Sequence, residues 1–108
     1  MTMHRQSIIV HPDGFELVGN DRVKGSYKWS DVTEVTAYKL DLLTTDEARL
    51  QLSFEHSPHA VVVSEEADGF DSFKSAIQFR FQFSDGWWSR LVQTAFATGK
   101  SVLYRRRS

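Results

Sequence analysis

The stretch from Lys24 to Leu43, KGSYKWSDVTEVTAYKLDLL, constrains the fold more than any other part of this sequence. It holds no proline and is rich in β-branched and aromatic residues, which suit a pleated, half-buried surface. A Trp29-Ser30-Asp31-Val32 step interrupts it. Ser and Asp side chains bond readily to nearby backbone, so this step predicts a tight corner between two strands. The first of those strands covers Arg22 to Trp29 and the second runs from Val32 to Leu43. In the second half of the longer one, Tyr38, Leu40 and Leu42 point one way, and Lys39 and Asp41 the other. That is the period-two signature of a half-buried strand.

The flanking sequence extends the pattern. Ser7 to Val10 reads as a short strand ending at the turn His11-Pro12-Asp13-Gly14, with Phe15 to Val18 as its hairpin partner. Past the connection Thr44-Thr45-Asp46-Glu47, Leu50, Leu52 and Phe54 alternate with polar residues, and Glu55-His56-Ser57-Pro58 turns the chain into Ala60 to Val63. Six strands with short turns predict an antiparallel meander. Beyond Ser64 the period changes. Phe70, Phe73, Ile77 and Phe81 recur at helical spacing, with Asp68 or Ser64 available as N-cap. Phe79 to Phe83 reads equally as an extended link. A second amphipathic stretch starts at the Ser84-Asp85 cap, includes Trp87, Trp88, Leu91, Val92, Ala95 and Phe96, and stops near Gly99. Ser101 to Tyr104 reads as a last short strand.

The chain is therefore read as a single α+β domain over residues 1–108. Strands occupy about 7–63, a helical C-terminal part about 68–98, and a short tail follows. Eight Phe, three Trp and three Tyr are a heavy aromatic load, so rings are expected to dominate the core. A net charge of −1 argues against nucleic acid and against capture by an anionic membrane. Arg105-Arg106-Arg107 is the local exception and reads as a solvated tail. The absence of cysteine excludes disulfides, thiolate zinc sites and cysteine nucleophiles. Near the N-terminus the apolar run Ile8-Ile9-Val10 is too short for a signal peptide or a membrane span, and the expectation is a cytoplasmic bacterial-type protein.

A meander with the corner Tyr27-Lys28-Trp29-Ser30-Asp31-Val32 at its centre, followed by the amphipathic Phe70–Ile77 segment, resembles the bacterial pleckstrin-homology-like (PH-like) domains. The resemblance spans residues 7 to about 80 and implies a strongly bent antiparallel sheet or partial barrel, plugged by a C-terminal helix. The chain departs from that pattern after Ile77, where a second helix and tail are added. Residues 37–46, with Trp87-Trp88 and Phe96-Ala97-Thr98, are also similar to a group of small bacterial proteins, a likeness that carries no activity. Phosphoinositide binding by such folds needs Lys and Arg around the first hairpin loop, where this chain has His11-Pro12-Asp13-Gly14.

No catalytic, cofactor-binding or metal-binding set stands out. His56 and His59 lack a third ligand and sit beside Pro58 in what reads as an exposed turn, whereas zinc takes three or four ligands. The six glycines form no phosphate-binding loop. Tyr38, Lys39, Asp41 and Asp46 form the densest polar group and are candidate interaction residues. So are Trp87 and Trp88, because neighbouring helical positions lie roughly 100° apart and both rings are hard to bury at once. The functional expectation is a binding or protein-interaction module without catalytic activity or cofactor, taking a protein partner or a second copy of itself as a homodimer. Two alternatives are a small enzyme using Tyr38, Asp41 or His59 in the barrel mouth, and an immunity-type protein that neutralises a partner toxin.

Overall fold

The computed structural model describes residues 6–19, 22–41, 46–93 and 100–106. β1 (Ser7–His11), β2 (Gly14–Gly19) and β3 (Arg22–Lys28) form an antiparallel sheet in that order. β4 (Val32–Asp41), β5 (Asp46–Phe54), β6 (Val61–Ser64) and β7 (Ser101–Arg105) form a second, in the order β6-β5-β4-β7. Helices α1 (Phe70–Phe81) and α2 (Trp87–Gln93) lie between β6 and β7 in the chain. The class is α+β, as expected. The sheets are not closed into a barrel: among the described residues no strand ladder joins one to the other.

The predicted corner is a 3-10 turn at Trp29–Asp31, and it carries the chain from one sheet to the other. Each end is tied to a different sheet. The Trp29 N–H donates to the Asp13 carbonyl at 3.0 Å, in the β1–β2 turn, and the Glu55 N–H donates to the Asp31 carbonyl at 2.7 Å, just past β5. The β2–β3 contact beside it is so close that a Cβ on Gly14 would lie 1.9 Å from the Tyr27 carbonyl oxygen.

One apolar core fills the space between the sheets. Ile8, Phe15 and Leu17 enter from the first sheet, Val35, Ala37, Leu50, Leu52 and Val63 from the second, and Phe70, Phe73 and Ile77 from α1. α1 starts beside Ile8, whose N–H donates to the Asp68 carbonyl at 2.8 Å. It ends beside Pro12 and Tyr104, so it runs along β1 and reaches β7. Neither expected side chain caps it. Gly69, with φ of 85°, is the N-cap, while the Asp68 backbone is engaged with Gln6 and Ile8. A Cβ at Gly69 would meet the Ile8 carbonyl at 2.4 Å, so packing on β1 dictates the residue. The ambiguous Phe79–Phe83 segment is helix through Phe81. Gln82 then closes it in the left-handed region, with φ of 53°.

The facing of β4 differs from the sequence expectation. Val35 and Ala37 are fully buried opposite Leu52 and Leu50, and Lys39 stands on that same face opposite Ala48. Its side chain is only 6% exposed. Tyr38 and Leu40 occupy the other face and are half-buried. Pairing with the apolar positions of β5 sets the facing, and a lysine stem packs like a hydrocarbon, which residue polarity alone does not reveal. The side chain of Asp41, and residues 42–45, lie outside the described residues, as do positions 94–99 of the predicted second helix.

Thr36 is 6% exposed, and its Oγ1 has no hydrogen-bond partner among the described residues. A buried unpaired hydroxyl costs about 1–3 kcal/mol. Thr36→Val keeps the shape and removes the polar atom, so it is expected to stabilise the fold by about 1 kcal/mol. Urea denaturation checks this, and a midpoint that moves down would show that the hydroxyl is satisfied.

Candidate functional site

The structure separates the polar group around Tyr38 into two faces of the second sheet. On the core face, the Lys39 Nζ reaches Asp46 Oδ2 at 3.4 Å and donates to the Val92 carbonyl of α2 at 3.5 Å. Lys39 thus fastens α2 to the end of β4. On the other face Tyr38 lies beneath the Lys100 ammonium, 5.2 Å from the ring centre, and Arg49 pairs with Glu47 at 2.7 Å. Burial pushes the Glu47 carboxyl upward. Hydrogen bonds from Ser64 and Arg49 and the Arg49 charge outweigh it, leaving Glu47 below its ordinary 4.5. Tyr38 and Lys39 therefore face opposite ways and make no joint surface. His59 sits in the exposed 55–60 connection. Among the described residues no three His, Cys, Asp or Glu side chains come together to hold a metal ion.

The tryptophan pair divides between core and boundary. Trp87 is buried, and its Nε1 donates to Gln78 Oε1 at 2.8 Å. Trp88 is half-buried against Phe70, at 5.7 Å between ring centres, with the Lys74 ammonium 4.3 Å over its face. Both rings pack on α1. The pair holds α2 against α1.

A different constellation forms an open groove of about 380 Å³ where α1 ends, lined by Trp29, Arg80, Phe81, Gln82, Tyr104 and Arg106 together with Ser30 and Val32. Its floor is a row of rings. Trp29 and Phe81 meet edge-on at 6.2 Å, and Phe81 and Tyr104 approach to 4.5 Å. The Trp29 Nε1 donates to the His11 carbonyl at 3.2 Å, which fixes the indole. Arg80 donates to the Pro12 carbonyl at 2.5 Å while its guanidinium stands 5.5 Å over the Trp29 ring. Arg106 donates to the Ser30 carbonyl at 3.3 Å and to Glu55 Oε2 at 2.9 Å, and its backbone N–H donates to Thr33 at 2.8 Å.

Arg105 pairs with Glu34 at 3.4 Å, so Arg105 and Arg106 are docked rather than a solvated tail; Arg107 lies outside the described residues. Glu34 and Glu55 offset those two cations. Among the described residues no carboxylate pairs with Arg80. Backbone carbonyls hold both guanidinium groups, and that of Arg80 also stands over the Trp29 face, an arrangement suited to carboxylate recognition and to stacking. The sequence gives little sign of this site, because the groove gathers the 3-10 turn, the end of α1 and β7 from three distant stretches. The Phe79-Arg80-Phe81 run was its one local signal.

Comparison of the chain with protein-family models, with curated proteins and with solved structures finds no match in any of the three.

Because the folded Glu47 carboxyl is held low, its contribution to stability is present above its ordinary 4.5 and is lost as pH falls through the lower native value. Glu47→Gln is therefore expected to be less stable than the parent at neutral pH, with the gap closing in acid. Denaturant titrations across that range test it; a gap independent of pH would remove the ion pair as its cause.

Proposed function

We propose that this domain is a non-catalytic binding module, cytoplasmic and without cofactor, that takes a protein partner in the groove at the end of α1. The observation that carries the reading is the pair Arg80 and Arg106, anchored on the carbonyls of Pro12 and Ser30 above the Trp29–Phe81–Tyr104 floor. Groups already held in place lose little freedom on binding, so more of the contact energy appears as affinity. Arginine and aromatic side chains are also those most often found to dominate protein interfaces. Kinship with PH-like domains belongs to the same proposal. A meander followed by a helix packed into the space between its sheets supports it.

Affinity capture from cells of the native host tests the reading. Arg80→Glu and Arg106→Glu should each remove proteins retained by the parent domain, at least about tenfold, equal to roughly 1.4 kcal/mol. Arg22→Glu, an exposed charge reversal on β3 away from the groove, should retain them. Equal retention by all three variants would contradict the reading.

A further inference from the structure

Four strand edges bound the two sheets, and they differ in how they are covered. The outer side of β1 meets backbone: the Ile8 N–H donates to the Asp68 carbonyl at 2.8 Å and the Asp68 N–H to the Gln6 carbonyl at 2.9 Å. β3 carries Arg22, Lys24 and Lys28, all exposed. A second copy laid antiparallel on β3 about Gly25 would set Arg22 against Lys28, and like charges placed opposite each other repel. β7 lies beside the end of α1 through Phe81 and Tyr104, and it carries Arg105. β6 has neither protection. Its residues are Val61-Val62-Val63-Ser64, and among the described residues no strand pairs with its outer side.

The ladder fixes which groups that edge offers. The Glu65 N–H donates to the Ala48 carbonyl at 2.9 Å, so hydrogen-bonded partners along β5 and β6 alternate from there: Val63 with Leu50, then Val61 with Leu52. Val62 and Ser64, between them, turn their backbone groups to the outer edge. The Ser64 carbonyl accepts from the Ala67 N–H at 3.0 Å, which leaves the Val62 N–H and carbonyl and the Ser64 N–H for another strand. The Val62 side chain is 37% exposed, and residues 55–60 leading into β6 are exposed throughout, so the approach is open. We propose that β6 pairs with β6 of a second copy of this chain, antiparallel about a two-fold axis at Val62. An outward N–H and carbonyl on one residue are what such an axis requires, since each Val62 N–H then donates to the Val62 carbonyl of the other copy. The same register sets Val61 against Val63 and Ser64 against Ala60. Beyond the strand ends it brings the Glu65-Glu66 turn of one copy beside His59 of the other, a compatible meeting where β3 would set cation on cation. Two four-stranded sheets become one, and no residue lining the groove lies on β6, so the dimer forms whatever the groove takes.

A strand this short buries little surface, so the expected dimer is weak, with a dissociation constant on the order of 100 µM. Sedimentation equilibrium from about 10 µM to about 1 mM should show the 12.4 kDa chain giving way to twice that mass. Over the same range the Val62 amide should exchange with deuterium more slowly as concentration rises. Val62→Pro removes the outward N–H and leaves the β5 ladder its donors, while Val62→Lys sets two like charges at the axis. Each should weaken association at least about tenfold. Val102→Lys, the same change at an exposed valine of β7, should leave association unaltered, with circular dichroism as the fold control for all three. A chain still monomeric at about 1 mM would overturn the proposal. So would a dimer indifferent to both Val62 variants. A dimer lost in Arg106→Glu and kept in Val62→Pro would overturn it by placing the second copy in the groove.

Discussion

The Phe15 ring is the contact on which the rest of the structure depends. It projects from β2 and lies 5.1 Å from Tyr27, 5.2 Å from Trp29, 6.4 Å from Phe54 and 5.0 Å from Phe73, centre to centre. Those partners belong to β3, the 3-10 turn, β5 and α1. Because no strand ladder joins the sheets among the described residues, the 3-10 turn with its backbone ties and the side chains packed between the sheets hold them together. Four aromatic pairs at about 0.5–1.5 kcal/mol each amount to roughly 2–6 kcal/mol beyond simple burial. Against a total stability of about 5–15 kcal/mol for a domain, that decides whether the sheets stay joined.

The same joint fixes the groove. Trp29 touches both Phe15 and Phe73 in the core and also meets Phe81 in the groove floor. Phe81 in turn meets Tyr104, whose strand is placed by pairing with β4. The floor is therefore an outward continuation of the core, rigid for the same reason the core is. The guanidinium groups above it are held by backbone carbonyls.

Much of the architecture was legible in the sequence because it rests on local patterning. The alternation of Leu50, Leu52 and Phe54 and the helical recurrence of Phe70, Phe73 and Ile77 each report a buried face directly, and all six are buried. What failed depends on contacts between distant segments. The facing of Lys39 follows from its pairing with Ala48, which no local pattern encodes. The glycine N-cap follows from the approach of Ile8. The strongly bent sheet or partial barrel implied by the PH-like resemblance corresponds here to two antiparallel ladders, not closed into a barrel, with rings packed between them. Trp87 and Trp88 were conspicuous as neighbours, yet α1 supplies cover for both. The groove has no local signature because Trp29, Arg80 and Arg106 are far apart in the chain, and a run of terminal arginines reads as a solvated tail until Glu34 and Glu55 are brought against it.

Native-state hydrogen exchange on Phe15→Leu tests the joint most directly. If the ring ties the sheets together, protection of the central amides of β2 and of β5 should fall by the same free energy, about 1–2 kcal/mol. Loss of protection confined to β1–β3, with β4–β6 unchanged, would show that the second sheet stands without it.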